Sequence, residues 1–267
     1  MDRNVRISLV IPARNEAQLL PRLLASVAVA RSRYRAGAQA VETIVADNGS
    51  SDETCAIARA AGCVVVDVQP RIIAAVRNGG AAIARGNLLA FVDADMQVHP
   101  DTFEAVDAAL SDNGIAGGAS GIRPERWSLG IGAVFALTDI VGRVTGVEAG
   151  LTYLRREDFT ALHGYDERRA ALEDVDLLWR LRRLCRPRGQ RLARLRAAPA
   201  VFSTRKFDQR GDWHWLPLGA RMVASRGWRT TRRTQVVERY WYDPHERVGE
   251  RPTASRVSRD RRRRGLP

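Results

Sequence analysis

The sequence lacks the features of secreted, disulfide-bonded proteins. Its 267 residues include only three cysteines, Cys55, Cys63 and Cys185, an odd number without the spacing of metal ligands. The N-terminus has neither the long apolar stretch nor the small-residue cleavage site of a signal peptide. We therefore expect a cytoplasmic protein with reduced thiols.

A long apolar run is also missing. The stretch 129–141 is interrupted by Asp139 and is shorter than the roughly 20 residues that a membrane-spanning helix requires. We interpret this stretch as part of the protein core rather than as a membrane span.

Basic residues are abundant by contrast. The net charge is +13, arginine becomes more frequent after Arg186, and four arginines follow one another at 261–264. A field of this sign attracts phosphates, nucleic acid or anionic lipid headgroups. With 45% hydrophobic residues, the chain can nevertheless form one large domain with a packed core.

Short apolar runs alternate with stretches of helical periodicity. Strands are predicted at 7–11, 43–46, 64–68 and 88–92, and helices at 16–30, 53–61, 71–85, 101–110 and 172–184. Asn15 is the expected N-cap of the first helix. This alternation predicts an α/β fold with a mostly parallel sheet.

Polar loops follow three of the predicted strands. They comprise residues 12–16, 47–52 and 93–95. Because ligands of parallel sheets bind beyond the carboxyl ends of the strands, we expect these loops to form one site.

The pair Asp93 and Asp95 is the strongest local signal for chemistry. Side chains two residues apart on an extended chain point the same way, so both carboxylates would lie together at a strand end. Such a pair can hold Mg²⁺ or Mn²⁺ together with substrate phosphates. A solvated turn is the alternative interpretation of the same tripeptide.

Four segments in order carry a resemblance to a known family. They are Val-Ile-Pro-Ala-Arg-Asn-Glu at 10–16, Ala-Asp-Asn-Gly-Ser-Ser-Asp-Glu-Thr at 46–54, residues 75–86, and Phe-Val-Asp-Ala-Asp at 91–95. Further likeness occurs at 150–159, 163–167 and 172–177. Together they resemble the family 2 glycosyltransferases, which implies a GT-A fold with a Rossmann-like, mostly parallel central sheet flanked by helices.

On the donor side, the resemblance implies roles for single residues. Pro12, Ala13 and Glu16 would border the nucleoside, Asp47 would recognise the base, and Arg77 would lie near the donor. Asp93 would approach the ribose or the metal, and Asp95 would ligate a divalent Mn or Mg ion that bridges the diphosphate of a UDP- or GDP-sugar. The alternatives are a first-turn helix carboxylate for Glu16, a turn-forming Asp47 and an exposed helical Arg77.

On the acceptor side, Glu173 and Asp174 match the Glu-Asp motif that supplies the catalytic base of this family. Asp174 is our choice for the group that removes the acceptor hydroxyl proton in an inverting, single displacement. Acidic residues also collect at helix N-termini for electrostatic reasons alone, which is the competing interpretation. His214 is the candidate for a further metal ligand, although its position between Trp213 and Trp215 favours a packing role.

The expected domain organisation follows from the extent of the resemblance. Residues 1–215 would form a single GT-A domain, with a donor half at about 5–115 and an acceptor half at about 116–215. Residues 216–250 would be an amphipathic basic segment and 251–267 a disordered arginine-rich tail. These segments could rest on an anionic membrane at its inner face and give access to a lipid-linked acceptor, or be a solvated end.

Two other functions fit the sequence less well. A basic nucleic-acid-binding protein would show a recognisable binding module, and none is present, so no specific nucleic acid partner is expected. A sugar nucleotidyltransferase would carry a glycine-rich phosphate loop near the N-terminus, but residues 10–16 contain no glycine.

Overall fold

A computed structural model describes residues 5–69, 72–145, 150–169 and 172–213. All of these residues fall within one compact unit, Met1–Arg232. The predicted segments 216–250 and 251–267 lie outside the described residues, and the domain limits proposed from the sequence stay a prediction.

The strands in the described residues form two sheets. They are β1 Ile7–Ala13, β2 Val41–Asp47, β3 Val64–Asp67, β4 Leu88–Phe91, β5 Met96–Gln97, β6 Ile115–Ala119, β7 Ile122–Pro124, β8 Thr152–Arg155, β9 Arg191–Arg194 and β10 Ala200–Phe202. The central sheet has the order β3-β2-β1-β4-β8-β6-β9, and only β8 is antiparallel to its neighbours. The small sheet has the order β5-β10-β7.

Helices cover both faces of the central sheet. They are α1 Leu20–Arg33, α2 Thr54–Ala60, α3 Ile73–Ala82, α4 Thr102–Ser111, α5 Leu129–Thr145, α6 Arg156–Ala161, α7 Glu173–Cys185 and α8 Arg205–Arg210. Successive side chains of a strand point to opposite faces. Accordingly Leu9 packs in the core under α1 and α4, whereas Val10 packs in the core under α3 and α7. The predicted α/β architecture with a mostly parallel sheet is confirmed.

The start of the first helix differs from the prediction. Asn15 is not its N-cap, because the helix begins at Leu20 and Asn15 has a left-handed backbone with φ 53°. Pro21 lies in the first turn, where its missing N–H is not needed. The side chain of Asn15 instead accepts a hydrogen bond of 2.8 Å from the Ser51 N–H and thereby ties the loop after β1 to the loop after β2.

The apolar stretch 129–141 is helical but is not the buried core element that we expected. Leu129 is 89% exposed, Leu137 53% and Ile140 58%. Hydrophobicity alone does not say whether another element covers a helix face, and in the described residues these side chains reach solvent. Within the same ranges, no helix combines the length and the apolar character that crossing a bilayer would require.

Candidate active site

The three polar loops meet at one edge of the central sheet. β1 pairs in parallel with both β2 and β4, and the register sets Ala13 beside Asp47 and Val10 beside Phe91. The reversed strand β8 begins at the same edge, with Thr152 opposite Phe91. Parallel pairing thus brings residues that are far apart in sequence to a common edge.

The end of β2 supplies a buried carboxylate. Asp47 is 5% exposed, and its Oδ2 accepts hydrogen bonds from the N–H groups of Gly49 at 3.1 Å and Ser50 at 3.0 Å. Oδ1 is buried and makes no hydrogen bond of normal geometry. The Cys55 thiol lies close by, and its pKa is raised first by burial and then by this carboxylate. Asp47 therefore fixes the turn after β2, and its carboxylate lies next to the Cys55 thiol.

The loop after β1 is held against its neighbours. Pro12 and Ala13 are buried at the end of the strand. Glu16 precedes the helix rather than lying in its first turn, so the helix-dipole interpretation of this residue is wrong. Its N–H donates to Thr54 Oγ1 at 2.8 Å, and its Oε1 lies 3.6 Å from a guanidinium nitrogen of Arg205 on α8.

Arg77 is the centre of the site. It is 3% exposed, which contradicts the interpretation as an ordinary exposed helical arginine. Its guanidinium donates to Asp93 Oδ1 at 2.6 Å, to Glu173 Oε1 at 2.5 Å and to Asp174 Oδ2 at 2.7 Å. One buried cation thus joins a carboxylate from the loop after β4 to two carboxylates at the start of α7.

Two hydroxyl groups that the sequence did not single out hold Asp174 in place. The hydroxyl of Tyr165 donates to Asp174 Oδ1 at 2.8 Å, and that of Thr152 approaches the same oxygen at 3.3 Å. Asn78 bonds both the N–H and the carbonyl of Tyr165, at 2.8 and 3.0 Å. The motif around Tyr165 was visible in the sequence, but nothing in it indicated that its hydroxyl meets Asp174.

Among the described residues, three carboxylates surround the one cation of Arg77. Burial acts to lower the pKa of Arg77, but the carboxylates of Asp174, Asp93 and Glu173 outweigh it and raise the pKa well above its ordinary value. Burial raises the pKa of Glu173 to about 7, although Arg77 opposes the shift. The Glu173 side chain is 10% exposed and that of Asp174 32%, so Asp174 is the one open to a substrate.

The loop carrying Asp93 and Asp95 turns earlier than expected. The strand ends at Phe91, and Met96 N–H donates to the Asp93 carbonyl, so the two aspartates are not on a continuous strand. Asp93 is 43% exposed and Ala94 is buried. Carboxylate oxygens that reach the open edge suit a hard divalent cation that also binds a diphosphate. No cluster of three or more His, Cys, Asp or Glu side chains with metal-binding geometry occurs in the described ranges, and His214 lies outside them.

Part of this chain matches a known protein family. Residues 8–128 match the family described as Glycosyl transferase family 2. A curated relative, the 4,4'-diaponeurosporenoate glycosyltransferase of Staphylococcus aureus strain MRSA252, is 32% identical over 151 residues. The match covers 51% of this chain and 37% of that protein, so the chain corresponds to little more than a third of its relative.

Solved structures show the same fold. A mannosyltransferase from Pyrobaculum calidifontis in complex with GDP-Man and Mn²⁺ has a TM-score of 0.58 at 19% identity, covering 74% of this chain and 56% of that one. Glucosyl-3-phosphoglycerate synthase from Mycobacterium tuberculosis, in complex with Mn²⁺ and UDP, has a TM-score of 0.51 at 23% identity, with coverages of 74% and 68%. The expected GT-A fold is confirmed.

Proposed function

We propose that this chain transfers a sugar from a nucleotide diphosphate donor to a hydroxyl acceptor with inversion. The match of residues 8–128 to the family described as Glycosyl transferase family 2 supports the proposal. The observation that carries the proposal is the joining of Asp93 and Asp174 through the single guanidinium of Arg77. It brings a donor-side carboxylate and a candidate base to one point of the sheet edge. A reaction between two substrates requires that proximity.

The donor would lie across the ends of β1, β2 and β4. Asp47 at the end of β2 would recognise the base, and Pro12, Ala13 and Glu16 border the same space. The structural relatives were solved with UDP or GDP-Man, and a UDP- or GDP-sugar is our proposal for this chain. Asp93 and Asp95 are the residues that would hold Mn²⁺ or Mg²⁺ at the diphosphate.

Bound there, the divalent cation would stabilise the negative charge that develops on the leaving diphosphate. Asp174 accepts the proton of the acceptor hydroxyl, and the acceptor oxygen attacks the anomeric carbon from the face opposite the diphosphate. The new carbon–oxygen bond forms as the bond to the diphosphate breaks, so the nucleoside diphosphate leaves and the configuration inverts. Tyr165 and Thr152 hold the carboxylate of Asp174 in position during this step.

Glu173 has a supporting role in this scheme. Its carboxyl is buried against Arg77 and shares the cation with Asp174. A pKa near 7 means that Glu173 is partly protonated at neutral pH, which reduces the repulsion between adjacent carboxylates.

Thermal unfolding with added nucleotides tests the proposal. UDP and GDP are each titrated with and without Mn²⁺, beside a random oligonucleotide. One nucleotide diphosphate should raise the midpoint in a Mn²⁺-dependent manner, and a panel of its sugar conjugates should then reveal a hydrolysed donor. Stabilisation by the oligonucleotide alone, lost at high salt, would support nucleic-acid binding and overturn the proposal.

A further inference from the structure

A cavity in the described residues lies two strands away from Thr152 of the candidate site and has no part in donor binding as proposed. Its volume is about 360 Å³, and it opens between α5 and the strands β7 and β9. Ile122, Trp127 and Phe135 line it, with Asp139 and Arg194 among the polar residues of its wall. This volume is within the range of small-molecule sites in proteins.

Two aromatic side chains, Trp127 and Phe135, form part of the cavity wall. The ring of Trp127 meets Phe135 edge-on at 5.9 Å between centroids, and Phe135 meets Phe202 of β10 at 6.4 Å. Asp139 and Arg194 form an ion pair at 2.9 Å, so these two charges are directed at one another. A sugar or peptide in this cavity would find few polar partners, whereas a hydrocarbon chain would find contact surface.

Strand register fixes the distance between the cavity and the candidate base. Thr152 lies opposite Ala119, and Ala119 lies opposite Arg194 on the next strand. Two strand spacings make about 10 Å between the backbones of Thr152 and Arg194. The Thr152 hydroxyl is 3.3 Å from Asp174, so an extended molecule could reach from the cavity to the base.

The small sheet connects the same cavity to the donor side. Ile122 lies in β7, which pairs with β10, and β10 pairs with β5. β5 begins at Met96, directly after Asp95. Strand pairing therefore relates the cavity to Thr152 beside the candidate base and, by a second path, to Asp95 on the donor side.

One aromatic residue of the lining reaches solvent. Trp127 is 67% exposed, so the cavity is open at this side chain. An apolar ligand that enters from solvent would meet this ring first.

We propose that this cavity binds the apolar part of the acceptor, a hydrocarbon chain whose hydroxyl group reaches Asp174. The inference rests on the proposed function, because it assigns the chemical class of that acceptor. The hydrocarbon would leave water at the aromatic wall, and its hydroxyl end would emerge toward Thr152.

Fluorescence quenching tests the cavity without any sugar donor. Bromoundecanol is titrated into the 267-residue protein, because bromine quenches tryptophan that it touches. A saturable loss of emission is expected from Trp127. The loss should disappear in Trp127→Phe and persist in the matched control Trp179→Phe, since Trp179 lies on α7 and does not line the cavity. Bromoethanol, which is too short to fill the cavity, should quench without saturating.

Gly132 offers a way to fill the cavity. It lines the wall, and a Cβ added there would meet no atom within 4 Å, so a larger side chain can enter. Gly132→Phe should raise the apparent Kd for bromoundecanol at least about tenfold. Gly132→Ala, the control, should bind much as the wild type does.

The outcomes separate this inference from the proposed function. Both are supported if Mn²⁺-dependent stabilisation by UDP or GDP persists in Gly132→Phe while quenching is lost. If the nucleotide stabilises the wild type but no saturable quenching occurs, the apolar cavity assignment is wrong and the transferase proposal stands. Unchanged quenching in Gly132→Phe or in Trp127→Phe would likewise overturn the assignment.

Discussion

Two buried glutamates, Glu42 and Glu173, lie near opposite edges of the central sheet, each beside an arginine. Glu42 is close to the amino end of β2 and accepts hydrogen bonds from Ser8 Oγ at 2.6 Å, Arg85 N–H at 2.6 Å and Arg85 Nε at 2.8 Å. Burial acts to raise its pKa, but these donors outweigh burial and lower it. The charged form of Glu42 is therefore stabilised by hydrogen-bond donors of Ser8 and Arg85.

At Glu173 the pKa shifts in the opposite direction, because burial is the larger influence there. Glu173 shares the guanidinium of Arg77 with Asp93 and Asp174, and its pKa is raised because burial outweighs that one cation. A cluster with more carboxylates than cations at an open edge attracts a further positive charge or a proton. Similar residue types thus have opposite pKa shifts at the two edges, because hydrogen-bond donors outweigh burial at Glu42 and burial outweighs Arg77 at Glu173.

Asp174→Asn should give the largest effect and should separate the two edges. Loss of the base is expected to reduce kcat by about 10²- to 10⁴-fold with little change in the unfolding midpoint. The control is Glu42→Gln, which should lose stability and keep turnover. Wild-type turnover in Asp174→Asn would remove this residue from the reaction.

Arg77→Met tests whether the buried cation holds its three carboxylates together. Removing one partner of a buried ion pair typically destabilises by about 3–5 kcal/mol. Arg85→Met should lose less, about 1 kcal/mol or below, because the Arg85 side chain is 67% exposed. Urea unfolding measures both, and the double variant Arg77→Met, Glu173→Gln should regain part of the loss. Equal losses in the two single variants would contradict the comparison.

Asp95→Ala tests the metal side of the candidate site. Loss of a ligand should weaken Mn²⁺-dependent stabilisation by the nucleotide and reduce turnover by about 100-fold, since a bound metal contributes several kcal/mol to such a reaction. The fold should be retained, because the substitution lies in a turn at the sheet edge. Thermal unfolding with and without Mn²⁺ is the measurement, and an undiminished Mn²⁺ effect would exclude Asp95 as a ligand.

Acid–base titration of stability should give effects of opposite sign at the two edges. The folded state favours protonated Glu173, so its contribution is complete below pH 4.5 and is lost as the pH rises to about 7. The difference in unfolding free energy between wild type and Glu173→Gln should fall over this window by up to about 3 kcal/mol. Glu42 favours its charged form, so its contribution is lost as the pH falls below 4.5. Parallel slopes for Glu173→Gln and Glu42→Gln would refute the difference between the clusters.

Much of the donor side was predictable from sequence because its signals are local. The strand after residue 40, the turn at Asp47 and the helices at 53–61 and 71–85 depend on periodicity and turn residues within short windows, and their positions agree within a few residues. Parallel pairing then required the polar loops to share an edge. The start of α1 was missed because Asn15 serves the neighbouring loop rather than its own helix.

The chain's own residues determined the α/β pattern, the edge at which polar loops gather and the carboxylates offered there, because these follow from spacing along the backbone. Only the tertiary structure decided that Arg77 is buried against Glu173, 96 residues away, that Tyr165 meets Asp174, and that α5 leaves apolar side chains uncovered. Such contacts depend on which surfaces the packed elements bring together, and burial then sets the charge of Glu173. Neither these contacts nor the burial of Glu173 can be read from the spacing of residues along the sequence.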